Sequence, residues 1–246
     1  MASNYRKYRS IKYGDPRVFF ESTTTKPFNG PNGIEHPVGS VVRGSAFVGI
    51  GGQQVSLSLP SMAELIFFQS KRDLDKAEAI KSRALKTTTT NGSYHLVDEE
   101  LFYTYIQLLS LGLLGLYSSL ESMVYELYIR KNKERKVEID GKELTFPEFT
   151  AKGFVTKVTK LASQLSGKSS IYGTELMEKV NEVNKLRTSI QHWDVERRED
   201  YFVNLPDNHP LKVFANVSPS QLAENIRQVL DHYSLKENIK ANKTTQ

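Results

Sequence analysis

The sequence predicts a mainly α protein: an antiparallel helical bundle with a small N-terminal β-hairpin region and a short inserted hairpin. Three observations carry this. From Leu101 to Leu120 the chain runs twenty residues without a charge and then continues into the charged stretch around Glu121 and Glu126, as the central helix of a bundle does. After residue 97, apolar positions recur at helical spacing in successive segments. Alternation of apolar and polar positions, the mark of strands, dominates residues 17–59.

With 246 residues, 39% hydrophobic and 25% charged, the chain can bury a sizeable core, which excludes a disordered protein. The absence of cysteine excludes a disulfide framework, a thiolate metal site and a Cys nucleophile, and suits a reducing, cytoplasmic location. Met1 to Arg9 is not followed by an apolar core, so no secretory signal is expected. Leu101–Leu120 is long enough to span a membrane, but Thr104, Gln107, Ser110, Ser118 and Ser119 dilute it. It reads as a buried helix, with no membrane partner. A net charge of +5 gives a mild affinity for polyanions.

Residues 1–16 form a basic and aromatic arm. Arg6, Lys7, Arg9 and Lys12 alternate with Tyr5, Tyr8 and Tyr13, a mixture that grips phosphates and stacks on bases; a solvated tail has the same composition. A second basic cluster, Arg130 to Lys136, complements the C-terminal end of a helix dipole.

Residues 17–97 form a β-hairpin and helix region. Val41–Ile50 and Gln53–Leu59 read as strands joined at Gly51-Gly52, since paired glycines accept the positive φ of a two-residue turn. No Gly-Lys-Ser/Thr follows, so these glycines are not a phosphate loop. Pro60 and Ser61 introduce a helix over Met62–Leu85, and Thr87–Thr90 with Asn91-Gly92 breaks it.

Residues 98–236 form the bundle. Asp98 is an N-cap for a helix reaching Lys131, and a hairpin then turns at Asp140-Gly141. Pro147 opens a helix whose Phe154, Val158, Leu161 and Leu165 share a face, and Gly167–Ser170 closes it. The next helix carries the stripe Leu176, Val180, Val183, Ile190. After the polar stretch Asp194–Val217, a capping box at Ser218-Pro219-Ser220-Gln221 starts the last helix, which buries Leu222, Ile226, Val229, Leu230 and Tyr233. Residues 237–246 are a C-terminal tail.

Chemistry concentrates at Arg187 and His192. At about 100° per residue, Arg187 falls near the centre of the Leu176–Ile190 stripe, where a charge calls for an answering group. Asn184 and Gln191 border that face as hydrogen-bonding neighbours, and Asp194 lies two residues beyond His192. On one straight helix Arg187 and His192 sit about 140° and roughly 7.5 Å apart, so their tips meet either where the helix unwinds or with their copies across a two-fold axis. A permanent cation beside a proton shuttle suffices for metal-free cleavage of a phosphodiester next to a 2′-hydroxyl. Asp194, Glu196, Glu199 and Asp200 alternate with Arg197 and Arg198, and there is no His-Glu-x-x-His, so neither a metal nor a cofactor is expected.

The segment Asn184 to Trp193 resembles the Arg-x4-6-His motif of the HEPN superfamily (higher eukaryotes and prokaryotes nucleotide-binding), and the likeness covers about residues 98–235. It implies a HEPN-like helical bundle that forms a homodimer, with RNA as substrate. It also implies a metal-independent endoribonuclease leaving a 2′,3′-cyclic phosphate, acting in toxin–antitoxin, abortive-infection or antiviral defence, with an antitoxin or defence-system partner. Arg187 and His192 carry over as catalytic. Active members commonly have Asn, Asp or His after the Arg, where this chain has Thr188. That departure leaves a catalytically inactive HEPN-like module binding RNA, nucleotide or a partner as the alternative. Arg227 and His232 repeat the spacing but flank a regular apolar stripe and lack the loop that follows the motif, so Arg187 and His192 are the preferred pair.

Overall fold

The computed structural model describes residues 15–19, 21–29, 33, 35–91, 93–131, 137–139, 141–191 and 210–234. The chain divides into two compact units, Met1–Leu65 and Ile66–Gln246. It is mostly helical, with small antiparallel sheets of two strands each among the described residues.

The first unit is β-structured. Strands β1 (Glu21–Thr23) and β4 (Val41–Arg43) pair outside β2 (Phe28–Asn29) and β3 (Glu35–His36), and Arg43 meets Glu21 at 2.6 Å across the outer pair. The expected long strand Val41–Ile50 is interrupted at Gly44, so that β5 (Ser45–Ile50) pairs instead with β6 (Gln53–Ser58). Their turn is the predicted one: Gly51 and Gly52 have φ of 57° and 78°. Ser61 then caps helix α1 (Met62–Ala84), its Oγ accepting the Glu64 N–H at 3.2 Å.

In the second unit the Thr87–Thr90 run is more than a break. It is strand β7, paired with β8 (Ser93–Leu96) across a turn in which Asn91 takes a φ of 52°. Asp98 caps the central helix α2 (Glu99–Lys131) as its sequence predicts, with Oδ1 accepting the Leu101 N–H at 2.8 Å. Tyr105, Leu109, Leu113, Leu116 and Leu120 of α2 are fully buried. The helix is nonetheless not buried all round: it is long and apolar enough to cross a membrane by length and composition, 28% of its most apolar stretch is buried, and Tyr103, Leu111 and Ile129 are exposed.

The inserted hairpin, β9 (Glu138–Ile139) with β10 (Lys142–Glu143), leads into α3 (Phe146–Thr150). Thr145 and Glu148 form a capping box there, and the Lys142 ammonium with the two Thr145 hydrogen bonds holds the Glu148 carboxyl down at about 2. The single helix expected from Pro147 to Leu165 does not form. Gly153 separates α3 from α4 (Phe154–Thr156), which passes into a π-helical turn at Lys157–Leu161 and then α5 (Ala162–Ser166), ending at Gly167 with φ of 72°.

Helix α6 (Glu175–Gln191) packs on α2, on α7 (Pro210–Asn216) and on α8 (Pro219–Tyr233). Helix α8 buries Leu222, Ile226, Val229, Leu230 and Tyr233, as its pattern predicts. Its expected capping box is not made: the Ser218 hydroxyl donates to Glu78 of α1 at 3.2 Å, and the same carboxylate takes the Ser220 N–H at 3.3 Å. An acidic side chain from another helix thus does what the Ser218 hydroxyl was expected to do.

Candidate active site

Arg187 stands one turn before the end of α6. The buried stripe of that helix is Met177, Val180, Val183 and Leu186, rotated from the expected stripe Leu176, Val180, Val183, Ile190, whose end members are half-buried. Arg187 is therefore on the edge of the packed face, half-buried, and not at its centre. The partner for its charge is a ring. The guanidinium carbon lies 4.5 Å from the centre of Tyr117 on α2.

Among the described residues no carboxylate pairs with Arg187, and neither Asn184 nor Gln191 hydrogen-bonds to it. Gln191 is exposed, and Asn184 contributes its backbone carbonyl, which accepts the Thr188 hydroxyl at 2.8 Å. The N–H donors of Arg187 are left for a ligand or for residues beyond those described. His192 and Asp194, and the arm residues Arg6, Lys7, Arg9 and Lys12, lie outside the described residues.

Sequence reasoning missed what surrounds Tyr117. Phe154 stacks on one face of its ring, with centroids 4.0 Å apart and planes inclined at 22°, which leaves the other face to Arg187. One turn further along α2, the Glu121 carboxylate meets the Lys157 ammonium at 3.3 Å, and Tyr125, another turn on, brings its hydroxyl to 3.4 Å from the same ammonium. Burial disfavours the Lys157 charge, yet the Tyr125 hydrogen bond and the Glu121 carboxylate outweigh it and raise the pKa of the lysine above its ordinary value. It remains an ammonium. Burial, followed by Glu121, also raises Tyr117, against a smaller opposing pull from Arg187 and Lys157.

The sequence signal existed in part. Tyr117, Glu121 and Tyr125 are spaced i, i+4, i+8 and share a face of α2. Lys157, three residues after Phe154 and four before Leu161, borders the apolar face of its own segment, but nothing in the sequence pairs it with Glu121.

The second Arg and His pair serves packing. The Arg227 guanidinium lies 4.9 Å from the Phe67 ring centre and pairs with Asp231 at 2.7 Å, while His232 Nε2 is 2.9 Å from the Ser169 carbonyl oxygen. A concavity of about 380 Å³ between α6, α7 and α8 is lined by Glu182, Val213, Asn216, Gln221, Leu222 and Asn225. Among the described residues no three His, Asp or Glu side chains come together as metal ligands do. Comparison with protein-family models, curated proteins and solved structures gives no match to this chain.

Proposed function

We propose that the protein is a metal-independent endoribonuclease of HEPN type, in which Arg187 binds the scissile phosphate and His192 moves the proton. The observation that carries this reading is the Arg187 guanidinium: it is oriented by the Tyr117 ring and meets no carboxylate among the described residues. A guanidinium held by π-contact keeps its planar fork of donors for a phosphate and stabilises the charge that grows on it. His192 then takes the 2′-hydroxyl proton or supplies one to the leaving oxygen. The products are a 2′,3′-cyclic phosphate and a 5′-hydroxyl.

One straight helix would hold Arg187 and His192 about 140° apart, a geometry that favours a homodimer with a composite site. The exposed side of α2 supports it. Tyr103 precedes Glu121 by five turns on the same face and is 66% exposed where the later half of that face is covered by Phe154 and Lys157, and Leu111, about 80° around the helix, is 52% exposed. The cysteine-free sequence suits the cytoplasm, and the resemblance implies a role in toxin–antitoxin or antiviral defence, with an antitoxin or other defence component as partner. The N-terminal arm, through Arg6, Lys7, Arg9 and Lys12, adds affinity for RNA.

One observation favours the second reading, a silent RNA- or partner-binding module: the Thr188 hydroxyl is committed to the Asn184 carbonyl. Both readings are tested by incubating the protein in EDTA with an RNA and with the same oligonucleotide carrying 2′-deoxy substitutions. The enzyme cleaves only the first, and Arg187→Ala and His192→Ala abolish cleavage. Binding without cleavage establishes the silent module, and cleavage of the deoxy substrate overturns the chemistry.

A further inference from the structure

Lys157 is 5% exposed and begins the π turn Lys157–Leu161, in which Val158, Thr159 and Leu161 are also buried. Glu121 is half-buried, its side chain 32% exposed, so pairing brings little net stability: the cost of withdrawing the ammonium from water offsets an attraction that solvent at the carboxylate weakens. Apolar side chains of the same volume hold two helices together as well or better. What they do not do is fix the register, since an apolar contact tolerates a slide that an ammonium seeking its carboxylate does not.

The register matters for Arg187. Glu121 lies one turn after Tyr117 on α2, and Lys157 lies three residues after Phe154 on the facing segment. The Lys157–Glu121 contact therefore stands one turn along from the 4.0 Å stack of Phe154 on Tyr117, between the same two segments. Lys157 and Val158 are adjacent in the π turn and both are buried. With one face of Tyr117 filled by Phe154, the other receives the Arg187 guanidinium.

We propose that the ion pair of the buried Lys157 with Glu121 is a register lock that positions Tyr117 under Arg187. Both are positioning residues, and neither touches the substrate. The consequence for RNA cleavage rests on the role given to Arg187 above; the consequence for geometry does not.

The test is the Nε–Hε resonance of Arg187 in the 15N-labelled full chain, assigned by its disappearance in Arg187→Lys. Stacking on Tyr117 displaces this signal by the ring current, and Tyr117→Leu supplies the undisplaced position. In the double variant Glu121→Leu, Lys157→Met the protein stays folded, with a thermal midpoint equal to or above that of the parent, while the Arg187 signal moves most of the way to the Tyr117→Leu position. The charge swap Glu121→Lys, Lys157→Glu returns it at least halfway. An unmoved signal in the double variant, or no return in a folded swap, overturns the lock.

Should the double variant not fold, Glu121→Gln is read in its place, since it keeps the volume and a hydrogen bond but not the charge; an unmoved signal there overturns the proposal. RNA cleavage is followed in the same proteins, with kcat falling at least tenfold in the double variant and KM little changed. A parent protein that cleaves no RNA defeats the ribonuclease reading alone, and the resonance still decides the lock.

Discussion

The Arg187 guanidinium is seated 4.5 Å from the centre of the Tyr117 ring, so the orientation of the candidate phosphate-binding group is set by an aromatic face. Such a contact is worth about 0.5–2 kcal/mol. Tyr117→Leu removes the ring but not the charge, and cleavage of RNA in EDTA then falls roughly tenfold in kcat/KM, corresponding to about 1.4 kcal/mol. Tyr117→Phe keeps the face and retains most of the activity. Equal losses in the two variants would point to the hydroxyl as the working group and against the stacking account.

Arg227 and His232 repeat the spacing of Arg187 and His192 and separate motif from role. Arg227 covers Phe67 and His232 holds the Ser169 carbonyl, so both contribute to packing of α8. Arg227→Ala and His232→Ala each lower stability by about 1–2 kcal/mol, the scale of one ring contact or one hydrogen bond. Cleavage per folded molecule stays at the parent value. Loss of turnover in folded His232→Ala would transfer the catalytic assignment to the second pair.

Helix α1 approaches α2 at two glycines. A Cβ on Gly115 would stand 2.0 Å from the Ser70 Oγ, and one on Gly112 would stand 2.5 Å from the Leu74 Cγ. Ser70 is buried and donates to the Ile66 carbonyl at 2.7 Å, so it has little room to turn aside. Gly115→Ala therefore destabilises by about 1–3 kcal/mol through overpacking, although alanine is favoured over glycine in a helix by about 1 kcal/mol. Adding Ser70→Gly recovers most of the loss. Urea midpoints of the single and double variants measure it; a higher midpoint in Gly115→Ala would show that the helices yield.

The contrast between these sites shows what was legible in the sequence. Asp98, Ser61 and the Gly51-Gly52 turn act within a few residues of themselves, and each does in the structure what its local pattern says. The stripe of α8 is equally plain, since its apolar positions fall on one face. Failures arise where a distant element intervenes. Glu78 takes over at the start of α8, Gly153 and the π turn divide what periodicity reads as one helix, and the α6 stripe turns toward Met177 and Leu186. Arg187 was found from spacing. Its seat was not, because Tyr117, Phe154 and Lys157 come together only through the register of α2 against the π turn.

Tyr105 makes the protein sensitive to alkali. It is fully buried and donates to the Phe214 carbonyl at 2.8 Å; burial, followed by the Glu78 carboxylate, pushes its phenol up to about 12. The unfolded chain gives up this proton near pH 10, whereas the folded chain keeps it, so between about pH 10 and 12 the unfolded state binds fewer protons and stability falls as pH rises. The full loss is on the order of 2–3 kcal/mol. Tyr105→Phe lacks this titration, so although it is less stable by about 1 kcal/mol at pH 9 for want of the hydrogen bond, the gap to the parent narrows by pH 11. Denaturant melts at the two pH values decide it, and a gap that stays constant would place the Tyr105 phenol near its ordinary range.

The two-subunit site makes the sharpest demand. If Arg187 of one protomer works with His192 of its partner, Arg187→Ala and His192→Ala are each inactive alone, yet a mixed dimer contains one site with both native groups. Random reassociation makes half the dimers mixed, each with one of two sites intact, so the mixture recovers about a quarter of parental activity. A site built within one chain recovers nothing. Leu111→Lys places a charge on the exposed side of α2, which gives a monomer at micromolar concentration by light scattering and removes activity with it. A Leu111→Lys dimer with full activity would move the interface elsewhere, and a mixture without activity would return Arg187 and His192 to a single unwound helix end.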